Sequence, residues 1–225
     1  MIEKKYAIYG CGGCARDILP LVKDILYQNT SVISDHVVLV SDDADEVGCH
    51  VNGVKVISFD DLSTLYRHYN VIIGIGDALS RRKIAERCVN AGLHFSSLQA
   101  QSARVMDYVT IGAGAVLSDF VTLTTNIIIG VQFHANIYSY VAHDCVIGDY
   151  VTFAPRVSVN GNTIIHDDVY IGTGAVLKQG TTDKPLVIGC GSLIGMGSVV
   201  TKDVPPGVVV VGNPARLIKV RPGYR

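Results

Sequence analysis

The sequence lacks the long apolar segments that would place a chain in a membrane or on a secretory route. Its longest apolar runs, such as residues 207–212, are far shorter than the roughly 20 residues that a membrane-spanning helix needs. Residues 1–6 contain charged side chains and no apolar core of a signal peptide. We therefore expect a cytoplasmic protein without a membrane span, whose six cysteines are reduced.

The sequence also lacks an excess of charge and a second cysteine pair. It has 19 Lys and Arg against 20 Asp and Glu, with no basic block, which argues against nucleic acid as a partner. The one C-x-x-C pair, Cys11 and Cys14, lies inside a glycine-rich stretch and has no second pair to complete a zinc site. We expect small residues in a crowded turn there, rather than a redox pair or a metal site.

What the sequence does contain is a repeat of six residues. A helix repeats at 3.6 residues and a strand at 2, so neither explains a period of six. A hexapeptide period is typical of a parallel β-helix, in which three hexads form a triangular coil and stacked coils bury one apolar column. The apolar residues at every sixth position are Val105, Ile111, Leu117, Leu123, Ile129, Ala135, Val141, Ile147, Phe153, Val159, Ile165, Ile171 and Leu177.

The repeat is interrupted after Leu177. The next clear hexad begins at Ile188, eleven residues on rather than twelve. Residues 178–185 are polar and include Gly and Pro, which favours a loop. We predict an extruded loop over residues 178–187, above which the coil must be re-set.

The first 95 residues follow another pattern. Short apolar strands are predicted at residues 5–9, 37–40 and 71–75, and helical apolar spacing covers residues 16–27 and 81–88. We therefore expect two domains, a small α/β Rossmann-like βαβ domain over residues 1–95 and a parallel β-helix over residues 96–225.

A glycine-rich turn follows the first predicted strand. Residues 10–15 fit G-x-G-x-x-A, and such a turn exposes backbone N–H groups at a helix N-terminus, which suits a phosphate or a nucleotide. Acidic residues after the second strand could accept hydrogen bonds from a ribose or a base. A turn that merely packs a helix on a strand is the alternative. A dinucleotide-dependent oxidoreductase is disfavoured, because the second half of a dinucleotide fold is lacking.

Hexad repeats followed by Val-x-Gly-Asn-Pro-Ala-Arg at residues 210–216 resemble the hexapeptide-repeat acyltransferases. This resemblance implies a left-handed parallel β-helix, a homotrimer and acetyl-CoA as co-substrate, with no metal. The glycine-rich domain in front is similar to one branch of that family, the sugar N- or O-acetyltransferases of the bacillosamine and sialic-acid types. The expected fold is therefore mainly β, a left-handed β-helix preceded by the small α/β domain.

The resemblance also implies site residues. In this branch the general base is the His of a His-(Glu/Asp)-Cys-x-Ile-Gly motif, which here is His143 followed by Asp144. A second family His, nine residues later, is replaced by Thr152. Implied substrate contacts are Gly12, Gly13, Cys14, Asp42, Asp43, Gly76 and Asn136, and implied acetyl-CoA contacts are Thr152, Gly161, Thr173 and Met196.

Acyl transfer from a thioester to an amine needs a base with a pKa near working pH, and an imidazole meets that requirement. His143 is the third residue of its hexad, so it should lie at a corner outside the apolar column, where Asp144 can hold its tautomer. A solvated corner histidine is the alternative, and His134 and His166 are the other candidate bases. A zinc carbonic anhydrase is disfavoured, because the closely spaced histidine pair of those β-helical enzymes is lacking.

The resemblance therefore implies an acetyl-CoA-dependent N-acetyltransferase of a nucleotide-linked amino-dideoxy sugar, in glycan or lipopolysaccharide biosynthesis. The nucleotide is expected to be UDP or dTDP, with GDP left open. An O-acetyltransferase of a sugar or of sialic acid is one alternative. A non-catalytic trimer that binds nucleotide sugars is another.

Overall fold

The structure is a computed structural model that describes residues 4–27 and 35–221. The chain divides into two compact units, Met1–Leu98 and Gln99–Arg225. The sequence placed this boundary after residue 95, three residues before the observed division. Within the residues that the structure describes, no helix is long and apolar enough to cross a membrane.

In its described part, the first unit consists of five strands and three helices, which in chain order are β1 (Tyr6–Tyr9), α1 (Gly13–Tyr27), β2 (Val37–Val40), β3 (His50–Val51), β4 (Val54–Ile57), α2 (Phe59–Thr64), β5 (Asn70–Ile73) and α3 (Ala78–Asn90). The strands form a mostly parallel sheet in the order β3-β4-β2-β1-β5. The central strands β1 and β2 are buried along their whole length, as expected of parallel strands with both faces covered.

The hairpin β3–β4 and helix α2 were not predicted, although local signals for both are present. Asn52 and Gly53 adopt φ angles of +50° and +79°, the left-handed pair that a tight two-residue hairpin turn requires. Ser58 caps α2 by accepting a hydrogen bond from the Asp61 backbone N–H, and the Asp61 side chain completes a capping box. The structure thus adds one hairpin and one short helix between the second and third predicted strands.

The second unit is a left-handed parallel β-helix with three faces, as predicted. The first face consists of Leu98–Gln99, Val116–Leu117, His134–Ala135, Thr152–Phe153, Tyr170–Ile171, Leu193–Ile194 and Val208–Val211, which the antiparallel strand Arg216–Val220 extends. The second face consists of Arg104–Val105, Thr122–Leu123, Tyr140–Val141, Ser158–Val159, Val176–Leu177 and Val199–Val200. The third face consists of Val109–Ile111, Ile127–Ile129, Cys145–Ile147, Thr163–Ile165 and Leu186–Ile188.

Three corners join the faces. The first corner lies between the first and second faces, the second corner between the second and third faces, and the third corner between the third and first. Many corners turn at a residue other than glycine with φ between +53° and +60°, for example Tyr138 at the first corner, Asp144 at the second and Tyr150 at the third. Residues 18 apart, such as Asn126 and Asp144, therefore lie at the same corner in neighbouring coils.

The predicted apolar column forms the core of this prism. From Leu117 to Leu177 every member of the column is at most 2% exposed. Phe133, a buried residue outside the column, meets the column residue Phe153 edge to face, with ring centroids 5.0 Å apart. Close packing of one column along its whole length explains why the sixth-residue pattern admits no polar side chain.

The extruded loop does not re-set the coil, contrary to our expectation. Leu177 lies on the second face, and the next strand, Leu186–Ile188, lies on the third face with Ile188 aligned to Ile165. Five additional residues are therefore inserted into a single hexad at the second corner. The register below and above the loop is the same.

Candidate active site

His143 lies at the second corner, between strands Tyr140–Val141 and Cys145–Ile147. Asp144, the next residue, adopts φ +58° and makes the sharp turn. The Asp144 backbone N–H donates to the Thr125 carbonyl at 3.1 Å, and the Asn162 N–H donates to the His143 carbonyl at 3.1 Å. The corner is thus fixed by backbone bonds to the coil on each side.

A chain of polar side chains holds the His143 ring at this corner. Its Nδ1 lies 2.7 Å from Asp144 Oδ2, and Asn126 donates to Asp144 Oδ1 at 3.0 Å. The bond from His143 and then the bond from Asn126 hold the pKa of Asp144 below its usual range. The carboxylate therefore stays ionised and favours the tautomer in which Nδ1–H donates a hydrogen bond to it. In that tautomer the lone pair of Nε2 can accept a proton. The His143 side chain is 45% exposed, so a ligand can reach it.

Gly161, which we expected to contact acetyl-CoA, lies directly against the His143 ring. A Cβ atom at Gly161 would be 2.6 Å from His143 Cε1 and 2.7 Å from Nε2. No real Cβ approaches another atom so closely, and Gly161 has no left-handed φ that would itself favour glycine. Glycine therefore leaves room for the imidazole in this position, and any larger residue at 161 would displace the ring.

A basic cleft opens at the same corner, two to three coils beyond His143. The extruded loop forms one side of it, and Lys178, Lys184 and Lys202 supply positive charge around a cavity of about 530 Å³. The cavity is lined by Lys178, Gln179, Gly180, Thr181, Lys184, Pro185, Leu186, Thr201, Lys202 and Asp203. Strands in neighbouring coils are about 4.8 Å apart, so this cleft lies roughly 10–14 Å from His143 along the prism.

The other predicted acetyl-CoA residues and Asn136 lie elsewhere in the chain's own prism. Asn136, Thr173 and Met196 are at the first corner, where the Gly197 N–H donates to the Thr173 carbonyl and Met196 is 80% exposed. Thr152 is a buried residue of a first-face strand. A whole face separates these residues from the second corner, so a single chain does not bring them to His143.

The alternative histidines are also remote from this arrangement. His134 is buried on the first face at 5% exposure, and His166 is exposed at the third corner. In the described part of the chain, no group of three or more His, Cys, Asp or Glu side chains could hold a metal ion.

In the first unit, the glycines of the glycine-rich turn and those that follow β5 fall into two groups, those that the structure requires and those that it does not. A Cβ at Gly74 would lie 2.7 Å from Ala15 Cα, and Gly10 has φ +117°. By contrast, a Cβ at Gly12, Gly13 or Gly76 would meet nothing within 4 Å. The packing alternative therefore explains Gly10 and Gly74 alone, while Gly12 and Gly13 leave open space at the N-terminus of α1.

Asp42 lines a second opening, at the end of β2 and next to the glycine-rich turn. Its Oδ1 accepts from Arg87 Nη1 at 2.6 Å and from the Tyr9 hydroxyl at 2.9 Å. The Arg87 guanidinium lies 3.7 Å from the centroid of the Phe59 ring. Burial and the bond to Asp42 raise the pKa of Tyr9, which keeps its hydroxyl a donor. The cavity of about 370 Å³ is lined by Ser41, Asp42, Ala44, Val47, Ser58, Phe59, Asp60 and Arg87.

Asp43 and Cys14 were also predicted to contact the nucleotide. The Asp43 carboxylate accepts a hydrogen bond from the Asp45 N–H at 2.9 Å, and Asp43 does not line the cavity beside Asp42. Burial raises the pKa of Cys14 to about 11, and that of Cys11 to about 11 as well. Both thiols therefore stay protonated near neutral pH, which disfavours the redox alternative.

Two family descriptions match this chain. Residues 5–88 match the PglD N-terminal domain, and residues 144–179 match the bacterial transferase hexapeptide, a set of six repeats. A GDP-perosamine N-acetyltransferase from Escherichia coli O157:H7 is 45% identical over 220 residues, which cover 96% of this chain and 97% of the relative.

Two solved structures extend the comparison. WeeI from Acinetobacter baumannii AYE is 46% identical, with a TM-score of 0.90 over 96% of this chain and 100% of WeeI. PerB from Caulobacter crescentus, solved in complex with CoA and GDP-perosamine, is 25% identical, with a TM-score of 0.82 over 95% of this chain and 97% of PerB.

The prism of hexapeptide repeats, with an exposed corner histidine bonded to a carboxylate, defines the chain as a hexapeptide-repeat acyltransferase. The likeness to the E. coli relative extends over both units, so it identifies one branch of these acyltransferases. The chain belongs to the sugar N-acetyltransferases that join a PglD-type N-terminal domain to a hexapeptide β-helix, and it uses acetyl-CoA. The resemblance found in the sequence is confirmed.

Several site residues were missed in the sequence. Asn126 and the role of Gly161 follow from the period, because Asn126 precedes Asp144 by 18 residues and Gly161 follows His143 by 18. Arg87 gave no such signal, since it lies on α3, far along the chain from Asp42.

Proposed function

We propose that this protein transfers the acetyl group of acetyl-CoA to the amino group of a GDP-linked amino-dideoxy sugar, with His143 as the general base. The observation that carries the proposal is the likeness over both units to an enzyme named GDP-perosamine N-acetyltransferase. The complex of PerB with CoA and GDP-perosamine supports the same nucleotide. We therefore favour GDP over the UDP or dTDP expected from the sequence.

The His143 corner supplies the proton chemistry of this reaction. The sugar amine attacks the thioester carbonyl, a C–N bond forms, the C–S bond breaks, and CoA leaves as a thiolate that takes up a proton. The amine must lose one proton as it becomes an amide, and His143 Nε2 accepts it. Asp144, bonded to Nδ1 at 2.7 Å, fixes the required tautomer and stabilises the imidazolium.

The first unit is suited to the nucleotide part of the substrate. The N-terminus of α1 begins at Gly13, and the open space beside Gly12 and Gly13 allows a diphosphate to approach backbone N–H groups. Cys14 and Gly76 border the same turn, at the carboxyl ends of parallel strands, where open α/β sheets bind their ligands. Asp42 beside it is placed to contact the base or ribose.

The second corner is suited to acetyl-CoA. The pantetheine arm is about twelve bonds long, the backbone length of about four extended residues, or about 14 Å. The basic cleft lies at a similar distance from His143, so a thioester at His143 would place the CoA phosphates near Lys178, Lys184 and Lys202. In this arrangement the extruded loop contributes mainly to acetyl-CoA binding.

We further propose a cytoplasmic homotrimer that serves glycan or lipopolysaccharide biosynthesis. Asn136, Thr152, Thr173 and Met196 lie a full face away from His143 within one chain. They can take part in the site only if a neighbouring copy presents its first corner and first face to the second corner. A trimer with sites between subunits satisfies that requirement.

Subunit complementation tests the shared site. His143→Ala and Asn136→Ala chains, each expected to have strongly reduced activity alone, are unfolded together and refolded as mixed trimers. Partial recovery of activity is expected, because some interfaces then contain both wild-type residues. The double variant on one chain, mixed with wild-type chains in the same way, is the matched control. No recovery, or a monomer by light scattering in the active enzyme, would contradict the shared site.

The activity is tested by screening nucleotide amino sugars with acetyl-CoA and following thiol release. Release with GDP-perosamine, together with a fall in kcat of about 10²–10⁴ in His143→Ala, is the expected result. Release with hydroxyl-only sugar nucleotides would favour the O-acetyltransferase alternative. Binding of the nucleotide sugar without turnover would favour the non-catalytic trimer. A loss below about tenfold in His143→Ala would assign the base elsewhere.

A further inference from the structure

We propose that the Arg87–Asp42 pair is the specificity determinant for guanine, with Arg87 donating to the base O6 and Asp42 accepting from its N1–H and N2 amino groups. This inference rests on the proposed function, in that it takes a GDP-linked sugar as the substrate. It assigns the base to the cavity beside Asp42, next to the turn that suits the diphosphate.

The first step in the argument is the order of donors and acceptors along the pair. Arg87 Nη1 donates to Asp42 Oδ1 at 2.6 Å, so a guanidinium and a carboxylate lie side by side. Guanine presents an acceptor, O6, followed by two donors, N1–H and the N2 amino group, along its pairing edge. A donor beside two acceptor oxygens is the complement of that edge.

The second step is that the other bases do not match. Uracil and thymine present a single donor between two carbonyls, so a carboxylate would face at least one carbonyl oxygen. Cytosine and adenine present an amino donor where guanine has O6, which would oppose Arg87. A site whose donors and acceptors match one base binds the other bases much more weakly, because their binding leaves polar groups of the site without hydrogen-bond partners.

The third step is that both groups remain available to a ligand. The side chains of Arg87 and Asp42 are 46% and 54% exposed. Within the described residues, Arg87 donates only through Nη1, although a guanidinium carries five N–H donors. The Asp42 carboxylate has about four positions that can accept a hydrogen bond. The Tyr9 hydroxyl and Arg87 Nη1 occupy some of these positions, and the rest can accept from a ligand.

The fourth step is that the pair is held in place and bordered by apolar surface. The Arg87 guanidinium rests on the Phe59 ring, and Tyr9 and Phe59 contact each other with ring centroids 6.1 Å apart. Ala44 and Val47 line the same cavity and offer apolar contact to a flat base. Preorganised polar groups with apolar borders are typical of small-molecule sites.

The test compares GDP with inosine diphosphate, which lacks only the N2 amino group, and with xanthosine diphosphate, which has a carbonyl there. Calorimetric titration of the full-length protein is expected to show GDP binding about 10- to 100-fold more tightly than inosine diphosphate, the value of a hydrogen bond to a charged group. In Asp42→Asn this ratio should fall to near one. Xanthosine diphosphate should then bind at least about tenfold better than to the wild type, because an amide can donate to its carbonyl.

Two further variants separate the roles. Arg87→Lys should weaken GDP and inosine diphosphate equally, since both carry O6, and so leave their ratio unchanged. Asp45→Asn, an exposed carboxyl nearby that does not line the cavity, is the matched control and should change neither affinity. Circular dichroism and thermal melting establish that each variant is folded.

Three results would overturn the inference. They are equal binding of GDP and inosine diphosphate by the wild type, a ratio that survives Asp42→Asn, and a ratio lost in Asp60→Asn instead. Each can occur while GDP-perosamine is still acetylated, in which case the proposed function stands and only the assignment of the base contacts fails. Turnover with UDP- or dTDP-linked sugars but not with GDP-linked ones would refute the proposed nucleotide itself.

Discussion

Gly161→Ala should damage catalysis by moving a neighbouring side chain while leaving the fold intact. The new Cβ would lie 2.6 Å from His143 Cε1 and 2.7 Å from Nε2. Ordinary carbon–carbon contact begins at about 3.5 Å, so the ring must retreat by about 1 Å. The imidazole is the end of a half-exposed side chain, so it can move without displacing the backbone.

A displacement of about 1 Å in a positioned base costs about 10²-fold in rate. We therefore expect Gly161→Ala to lower kcat about 100-fold in a thiol-release assay at saturating acetyl-CoA and GDP-linked amino sugar. The melting temperature should stay within a few degrees of the wild type, because the half-exposed imidazole can move aside without displacing the backbone.

The matched control is the same substitution in a His143→Ala background. If Gly161 acts through the imidazole, Gly161→Ala should cause no further loss once the ring is gone, and the two effects should be strongly non-additive. An equal loss in both backgrounds would refute the reasoning. So would a rise in the KM for acetyl-CoA with unchanged kcat, because that would make Gly161 a cofactor contact alone, as the sequence first suggested.

Four other expectations follow from the site. Asp144→Asn should lower kcat about 10²-fold in the same assay, because an amide donating to Nδ1 moves the ring proton to Nε2; unchanged kcat would exclude a role for the tautomer. Gly13→Val should raise the KM for the nucleotide sugar and leave that for acetyl-CoA unchanged, and equal effects would make the turn structural. The double variant Lys184→Ala and Lys202→Ala should raise the acetyl-CoA KM roughly 3- to 30-fold, less at high salt; unchanged kinetics would leave the loop without a role here. Cys14, whose pKa burial raises to about 11, should react slowly with iodoacetamide at pH 7.5 and faster as pH rises toward 11, and rapid reaction at neutral pH would contradict that environment.

Most of the β-helix was predictable because each hexad encodes its own geometry. One buried residue in six fixes a face, and corners admit polar side chains at fixed offsets, so His143 could be placed at a corner from its position in the hexad. The same arithmetic, carried one coil further, predicts Asn126 beside Asp144 and Gly161 beside His143. Asn126 and Gly161 were missed because each is close in space to its partner but 18 residues away from it in the sequence.

The first unit was harder to predict because its contacts have no period. Asp42 and Arg87 are 45 residues apart, and helix α3 brings Arg87 to the end of β2 through tertiary packing. Likewise, nothing in the spacing distinguishes Gly12 and Gly13, which leave open space, from Gly10, which the backbone conformation requires. The neighbouring carboxyl groups of Asp42 and Asp43 also have different surroundings, which the sequence does not indicate. Asp43 accepts a hydrogen bond from the Asp45 N–H within its own loop, whereas Asp42 lines the cavity.

The triangular coil makes the number of residues between two functional groups a measure of distance and direction at once. Adding or deleting 18 residues between His143 and the extruded loop would move the basic cleft by one coil, about 4.8 Å, at the same corner. Adding six would carry it to a different corner altogether. Inserting or deleting whole coils can therefore change the distance between His143 and the basic cleft to suit an acyl carrier with a longer or shorter arm. Inserting a single hexad cannot, because it moves the cleft to another corner.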